Sequence, residues 1–429
     1  MIVTKVLVLG SGGREHALVY ALSQSPLVKR LYWTPGNAAT GDIAENPSIK
    51  VDDFEAILSF AKREKINITV VGPELPLVKG IADLFIENGL PVFGPTKEGA
   101  RIEGSKIFAK KLMQEKGIPT ALHREFITKQ AALEYIRQMN PPYVIKADGL
   151  AAGKGVLIAN DERDTRKILT DMFERKVFGE SGTRVVIEDF LEGEEATVLA
   201  LCDGRTVVPL ISSQDHKPVY DGDRGPNTGG MGAIAPAPVV NTTVMGKVIE
   251  RILLPLVDEF RKRGIDYRSV IYAGLMIQNE DPFVVEFNCR FGDPEMEAVV
   301  PLLESDLVES IVRTVNGELR DYTIEWKKGY ACDVVMVSGG YPGHYEKGKE
   351  IRGIDNVGGR DNVYVFHAGT AQKDGRVVTN GGRVLNVVAT AGTLQDAISG
   401  SYAAVEKIRF DGSYYRKDIG FHGLNYFTK

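Results

Sequence analysis

The chain reads as a multidomain protein of mixed α/β and α+β class. A parallel α/β layer comes first, a strand-rich centre follows, and an antiparallel sheet with flanking helices comes last. Three observations predict this. Its 429 residues exceed one comfortable hydrophobic core, so roughly two to four domains are expected. Short apolar runs alternate with helical segments through the first quarter of the chain, the rhythm of a parallel sheet. Glycine and proline sit in turns, and no long linker, repeat or low-complexity tract interrupts the pattern.

The N-terminal strands are KVLVLG, RLYWTPG, ITVVGP and LPVFGP. GSKIFAKKLMQEKGIP is then a well-marked helix: Ser105 can cap it, Phe108 and Leu112 share a face, and Gly117 with Pro119 stops it. From there to about residue 195 the strands YVIKADG, GVLIAN and RVVIEDF surround one helix in a smaller unit. A longer strand-rich segment is broken by the loop SQDHKPVYDGDRGPNTGGMGA. ACDVVMVSGGYP, VYVFHAGTA and RVLNVVATA make up the closing antiparallel sheet.

Composition excludes several classes. With 43% hydrophobic and 25% charged residues and a net charge of −5, the chain is a soluble globular protein. Weak acidity argues against a dedicated nucleic-acid or membrane-surface binder. Cys202, Cys289 and Cys332 are far apart and read as reduced thiols of a cytoplasmic protein. Six scattered histidines form no zinc motif. MIVTKVLVLG is a first strand rather than a signal peptide, and no apolar run is long enough to span a membrane.

Several stretches carry chemistry. VLGSGGREHA is a strand, a glycine turn and a helix start, which offers backbone N–H groups to an anion. As a dinucleotide fingerprint it fails, because Glu15 stands at the third glycine and no acidic residue closes the next strand. A phosphate-bearing ligand other than NAD and a tight turn without any ligand remain equal readings of this stretch. DGLAAGKGV is not a P-loop: Gly149 and Gly153 enclose only three residues, and Gly155 follows Lys154. It joins two strands, as do glycine-rich loops that fold over nucleotide phosphates, with a surface hairpin as the plain alternative. Lys146 ends an apolar strand, where an unpaired ammonium is expensive. Lys106 lies in the first turn of its helix, where the dipole disfavours a cation. Both placements make sense beside triphosphate oxygens.

VVIEDFLEGEE ends a strand with Glu188 and continues to Glu194 and Glu195, a hinge able to offer carboxylates and a backbone N–H to adenosine. In FVVEFNCRFGDPE, residues 283–295, Glu286 and Asn288 alternate on one strand face. They are hard oxygen ligands suited to Mg²⁺ on nucleotide phosphates. Arg290 follows as a permanent planar cation for a phosphoryl or carboxylate group, with an internal salt bridge to one acid as the plain alternative.

The order of lysine helix, lysine strand, glycine loop, acidic hinge and E-x-N strand resembles the ATP-grasp ligases. More narrowly, NCRFGDPEME, SQDHKPVYDGDRGPNTGGMGA, GSGGREHA and YRKDIG resemble the glycinamide ribonucleotide synthetase (phosphoribosylamine–glycine ligase) family, from residue 10 to residue 420. The resemblance implies a biotin-carboxylase-like N-terminal α/β domain at 1–103, which binds phosphoribosylamine. It implies an ATP-grasp domain at 104–328 with a mobile lid at about 122–193, and a C-terminal domain at 329–429. The implied reaction joins glycine to 5-phosphoribosylamine through glycyl phosphate, using ATP and Mg²⁺ (or Mn²⁺), in purine biosynthesis.

By the same resemblance Lys106, Lys146 and Lys154 hold phosphates, while Glu188, Leu191 and Glu195 bind adenosine, with Glu194 the alternative at the ribose. Gly12, Gly13 and Arg14 hold the ribose phosphate, and Glu74 accepts from the sugar hydroxyls. Asp215, Lys217, the turn Asn227–Thr228–Gly229–Gly230, Arg290 and Asp293 position glycine and the acyl phosphate. Glu286 and Asn288 are the metal ligands. AGLMIQ lacks the further acid that many relatives carry, so a second metal would depend on phosphates and water. A monofunctional, monomeric enzyme of small-molecule substrates is expected, with no nucleic acid or membrane partner and transient contact with the enzyme that supplies phosphoribosylamine. Another ATP-grasp carboxylate–amine ligase or carboxylase, and a nucleotide-binding regulatory module without turnover, are the competing readings.

Overall fold

The computed structural model describes residues 4–150, 155–357 and 362–427. Strands Lys5–Gly10, Arg30–Pro35, Ile68–Val71 and Val92–Phe93 form a four-stranded parallel sheet in the order second, first, third, fourth. Its runs are uninterruptedly apolar because both faces are covered. Leu7 and Leu9 enter one hydrophobic core, while Val6 and Val8 enter another. The long strand Glu194–Asp203 feeds the same two cores with the same alternation, Val198 and Ala200 to one and Leu199 and Leu201 to the other. The N-terminal sheet and the central sheet are thereby packed as one body.

The smaller unit has its own core of Phe126, Leu133, Ile145, Leu169, Met172 and Ile187. Its antiparallel sheet runs His123–Phe126, Val185–Asp189, Tyr143–Ala147, Val156–Ala159. Two helices cover it, Lys129–Ile136 and Glu162–Phe173, where the sequence suggested one. The second escapes a sequence reading because it buries only Thr165, Leu169 and Met172 along an otherwise polar length. The central sheet is antiparallel, in the order Val207–Pro209, Glu194–Asp203, Arg268–Gln278, Asp281–Asn288.

The C-terminal sheet is larger than its own segment. Strands Tyr330–Val337, Arg383–Ala391 and Val363–His367 are joined by Gln214–Asp215 and Gly232–Ala235 from the middle of the chain. The stretch read as a loop therefore contains four short strands, these two and the hairpin Pro218–Tyr220 with Arg224–Asn227. Strands of two to four residues show no usable period, which is why they read as loop. Helix Lys106–Lys116 bridges the central body to the smaller unit. Ser105 caps it by accepting from the Phe108 N–H, and Gly117 ends it at φ +64°.

Candidate active site

The last central strand, Asp281–Asn288, carries a β-bulge. Glu286 pairs with Gly274 and Val284 with Leu275, leaving Val285 without a partner. Bulges bend a strand and re-aim its groups. The freed Val285 carbonyl accepts a hydrogen bond from Lys146 Nζ at 2.9 Å. Beyond the bulge, Glu286 and Asn288 face a cavity of about 620 Å³ that is also lined by Lys106, Lys146, Glu188 and Arg290. The sequence expectation that these residues share one space therefore holds in the fold.

At the inner end, Glu188 holds two lysines on one oxygen. Lys110 Nζ lies 2.8 Å and Lys146 Nζ 3.0 Å from Oε2, all three side chains being about 3% exposed. Burial opposes ionisation of Glu188, yet Lys146 and Lys110 hold it below the usual carboxylate range. Its other oxygen, Oε1, is buried without a hydrogen-bond partner. A buried acceptor left unpaired on a cavity wall is costly and marks a place for a ligand donor. Lys106 lines the same wall and donates to the Gly149 carbonyl at 3.4 Å. Asp148 ties the glycine loop to this helix, accepting from Ser105 Oγ at 2.8 Å and from the Ile107 N–H at 3.1 Å. Gly153 and Lys154 lie outside the described residues. Leu191 and Glu195 line the cavity, and Glu195 pairs with Lys217 at 3.2 Å.

At the outer end the charges interlock. Arg290 reaches Glu103 Oε1 at 3.1 Å and Glu74 Oε2 at 3.6 Å, and it donates to the Phe291 carbonyl at 3.1 Å. Burial works against an ionised Glu74, but Arg290 and Arg14 hold it low. Asp293 is likewise kept ionised against burial, by Arg383 and Arg14. Arg383 NH2 lies 3.1 Å from Asp293 Oδ1, and its NH1 donates to the carbonyls of Asp293 at 2.9 Å and Gly229 at 2.7 Å. The Gly229 N–H donates to Tyr341 Oη at 3.2 Å. Thr228 donates to the Lys217 carbonyl through both its N–H, at 2.9 Å, and its hydroxyl, at 2.8 Å. Lys217 Nζ lies 3.8 Å from Glu286. Burial, reinforced by Glu295, Glu195 and Glu286 and opposed by Lys217, pushes Asp215 up to about 8.

Of the residues expected from the sequence, Arg14, Glu74, Asp215, Lys217, Asn227 to Gly229 and Asp293 also line this cavity. Gly12, Gly13 and Gly230 are not on its wall. The glycine turn brings its own anion: Glu15 Oε2 accepts the Gly12 N–H at 2.6 Å, and Glu15 Oε1 pairs with Arg14 at 2.5 Å. Glu15 also fills the space where a Cβ on Gly10 or Gly72 would sit. The residue that spoils the dinucleotide fingerprint thus takes the Gly12 N–H of the turn, and Arg14 is what the turn presents to the cavity. Gly230 instead gives its space to Pro294 and donates its N–H to Thr228 Oγ1 at 2.9 Å.

Sequence reasoning missed Lys110, Glu103, Tyr272, Arg383 and Tyr341, all of which line the cavity. Lys110 stands four residues from Lys106 on one helix face, and Glu103 is an acid in a last helical turn, where the dipole disfavours it; both were detectable signals. Arg383 arrives from the C-terminal sheet and Tyr341 from the turn beyond its strand Tyr330–Val337, and neither carries a local signal.

A small antiparallel sheet and a larger one, holding between them a cavity with a lysine-bearing helix and an E-x-N strand, are the ATP-grasp arrangement. Three domain families of phosphoribosylglycinamide synthetase match in order: the N domain at 4–103, the ATP-grasp (A) domain at 104–296 and the C domain at 331–422. The phosphoribosylamine–glycine ligase of Caldanaerobacter subterraneus is 48% identical over 97% of this chain and 99% of its own. The solved phosphoribosylamine–glycine ligase of Thermotoga maritima superposes with a TM-score of 0.85 at 37% identity, over 97% of this chain and all of that one (100%). The biotin carboxylase domain of Hydrogenobacter thermophilus 2-oxoglutarate carboxylase, solved with MgADP, ADP and bicarbonate, shares the fold at a TM-score of 0.76 and 17% identity, over 100% of this chain and 99% of that one. The chain belongs to the phosphoribosylamine–glycine ligase family.

A side chain on Gly13 would overlap the Asn386 amide and the Glu297 carboxyl across the seam with the C-terminal sheet. Gly13→Val is expected to lower stability by about 1–3 kcal/mol or more, as overpacking does. A shift of the denaturation midpoint, with kinetic defects not confined to one substrate, checks this.

Proposed function

We propose that this cavity joins glycine to 5-phosphoribosylamine, consuming ATP and releasing ADP and phosphate, with glycyl phosphate as the intermediate. The enzyme is an ATP-dependent carbon–nitrogen ligase of purine biosynthesis. The observation that carries the residue assignment is the end of strand Asp281–Asn288. There Glu286 and Asn288 stand between one end, where Glu188 Oε1 has no partner, and another built from Arg14, Arg290, Asp293 and Asp215.

The open Glu188 oxygen suits the adenine amino group, with Leu191 and Glu195 along the nucleoside. Lys106 and Lys146 supply cations for the phosphates, and Lys154, outside the described residues, is assigned to them by the resemblance alone. Among the described residues no three acidic, histidine or cysteine side chains converge into a metal cage. Two hard oxygen donors on one face, Glu286 and Asn288, fit a divalent ion completed by nucleotide oxygens. When bound, Mg²⁺ or Mn²⁺ supplies neutralisation of phosphate charge.

A glycine carboxylate oxygen attacks the γ-phosphorus and ADP leaves. Arg290 lies where charge accumulates, and no protein nucleophile is needed. Asp215 takes the glycine ammonium, and Lys217 with the Asn227–Gly229 turn orients the carboxylate. The amine of phosphoribosylamine then attacks the glycyl carbonyl carbon, the acyl–phosphate bond breaks, and the amine proton leaves with the phosphate. Asp293, held ionised, accepts a hydrogen bond from that amine. Arg14 takes the ribose phosphate and Glu74 the sugar hydroxyls, which gives the N-terminal domain to phosphoribosylamine. No helix of the described residues is long and apolar enough to cross a membrane, and we place the enzyme in the cytoplasm as a monomer.

Product analysis with ATP, Mg²⁺, glycine and freshly generated phosphoribosylamine tests the reaction, and ADP release without glycinamide ribonucleotide overturns it. Glu286→Gln keeps shape and removes one charge beside the phosphates. Its turnover is expected to fall about 100-fold or more with an unchanged melting curve. Wild-type turnover at limiting Mg²⁺ would remove Glu286 from the metal site.

Asp215 predicts a pH profile. Its carboxyl, pushed up to about 8, is neutral below that value and must ionise to meet an ammonium group. The kcat/KM for glycine should therefore rise about tenfold per pH unit up to that point and level off above it. In Asp215→Asn the slope should vanish and the plateau drop; an unchanged slope assigns the titration elsewhere.

A further inference from the structure

We infer that the C-terminal segment Arg416–His422 is a clamp that positions the hairpin Pro218–Tyr220/Arg224–Asn227, and through it the residues that orient the acceptor carboxylate. None of these clamp residues lines the cavity, and the chemistry proposed above does not use them. Arg416 is nonetheless the second-largest fully buried side chain among the described residues, at 0% exposure. Fully burying a guanidinium is expensive unless every donor has a role.

The roles are specific. Arg416 grips Asp418 with two nitrogens, Nε to Oδ1 at 2.8 Å and NH2 to Oδ2 at 2.9 Å. Its NH1 then reaches out to the hairpin, donating to the Pro218 carbonyl at 3.1 Å and to Asp223 Oδ1 at 2.9 Å. Asp418 Oδ2 also accepts the Gly222 N–H at 2.7 Å, and Asp221 Oδ1 accepts the Lys417 N–H at 2.8 Å. His422 Nε2 lies 2.6 Å from the second oxygen of Asp223. At the root of the hairpin, His216 Nε2 accepts the Gly420 N–H at 3.1 Å. The clamp itself is anchored: Tyr402 of helix Leu394–Val405 donates to the Arg416 carbonyl at 2.8 Å and accepts the Ile419 N–H at 3.0 Å.

A two-stranded hairpin is marginal by itself in water, and here Asp221 to Pro226 lie mostly on the surface. Its own ladder is irregular, with a register shift between Pro218 and Tyr220. The two residues that leave it toward the cavity, Lys217 and Thr228, are bonded to each other. Fixing Pro218 and Asp223 therefore fixes Lys217 on one side and Asn227 to Gly229 on the other. The inference rests on the ligase reading of the cavity, because it names glycine as the molecule those residues orient.

The test compares wild type with Arg416→Lys, Arg416→Met, Asp223→Asn and His422→Ala, measuring melting temperature, kcat, and KM for glycine and ATP separately. Arg416→Lys keeps the charge but cannot span four acceptors, and Asp223→Asn and His422→Ala change half-exposed groups, so these three decide the matter should Arg416→Met not fold. Positioning predicts that KM for glycine rises at least about tenfold in Arg416→Met, the scale of one charge-assisted hydrogen bond. It rises less in the milder variants, and KM for ATP stays within about twofold throughout. Arg416→Lys should recover part of the loss. A merely structural role would lower melting temperature and active fraction while leaving both KM values alone, and that result overturns the inference, as does an equal rise in both. Failure of the wild-type protein to form glycinamide ribonucleotide would instead overturn the ligase reading.

Discussion

Charge that is to meet phosphate must be kept inside the protein, and it is kept by sharing. Glu188 carries both Lys110 and Lys146 on one oxygen, and Arg290 is divided between Glu103 and Glu74. An isolated buried ion would lose its charge by shifting its pKa or destabilise the fold, whereas a paired one survives. Breaking such a pair by removing one partner costs about 3–5 kcal/mol. The lysine cluster therefore depends on Glu188, and the arginine end depends on Glu103 and Glu74. At one end Glu188 Oε1 is left over, buried and without a hydrogen bond, and at the other Arg290 Nε meets Glu74 Oε2 only across 3.6 Å, too long for a hydrogen bond. The cavity is close to neutral in sum and unsatisfied at chosen atoms, which lets it be both stable and receptive.

The bulge at Val285 connects this electrostatics to the fold. In a regular ladder the Val285 carbonyl would be paired along the sheet; displaced, it accepts Lys146 and draws that lysine against the strand bearing Glu286 and Asn288. Glu103 does a similar service one step along, accepting the Cys289 N–H at 2.8 Å while holding Arg290. The backbone that ends the strand and the side chains that fill the cavity are thus fixed by the same few groups.

What could be read in the sequence follows from where information is local. The N-terminal strands were legible because two buried faces produce unbroken apolar runs. Glu286, Asn288 and Arg290 were legible because polar residues at the end of such a run need a reason. Lys106 and Lys146 were legible as misplaced cations, but Glu188, expected at adenine alone, is also the counterion of Lys146 and of the unforeseen Lys110. In the glycine turn, Glu15 takes the Gly12 N–H from within the motif, and Arg14 is the member of the turn that lines the cavity. Arg383 and Tyr341 were hidden because their meaning exists only once the C-terminal sheet is laid against the Asn227–Gly229 turn. The hairpin strands were hidden because they are too short to show a period, and the turn between them is held by a segment about two hundred residues away in sequence.

The shared C-terminal sheet has a mechanical consequence. Gln214–Asp215 and Gly232–Ala235, which enter and leave the hairpin, are strands of the sheet whose other strands include Tyr330–Val337 and Arg383–Ala391. Asp215, Lys217 and the Asn227–Gly229 turn must therefore move with the C-terminal domain. Lys146 and Glu188 belong to the smaller sheet, with a separate core. The two ends of one cavity are carried by different bodies, and strand Asp281–Asn288 lies between them in the central sheet. On the proposed reading, motion of the smaller sheet would admit or release a nucleotide while the acceptor end keeps its geometry. That separation suits a reaction whose intermediate must outlast the first step: the half of the site that receives the amine need not be rebuilt when the half that delivered the phosphoryl group lets go.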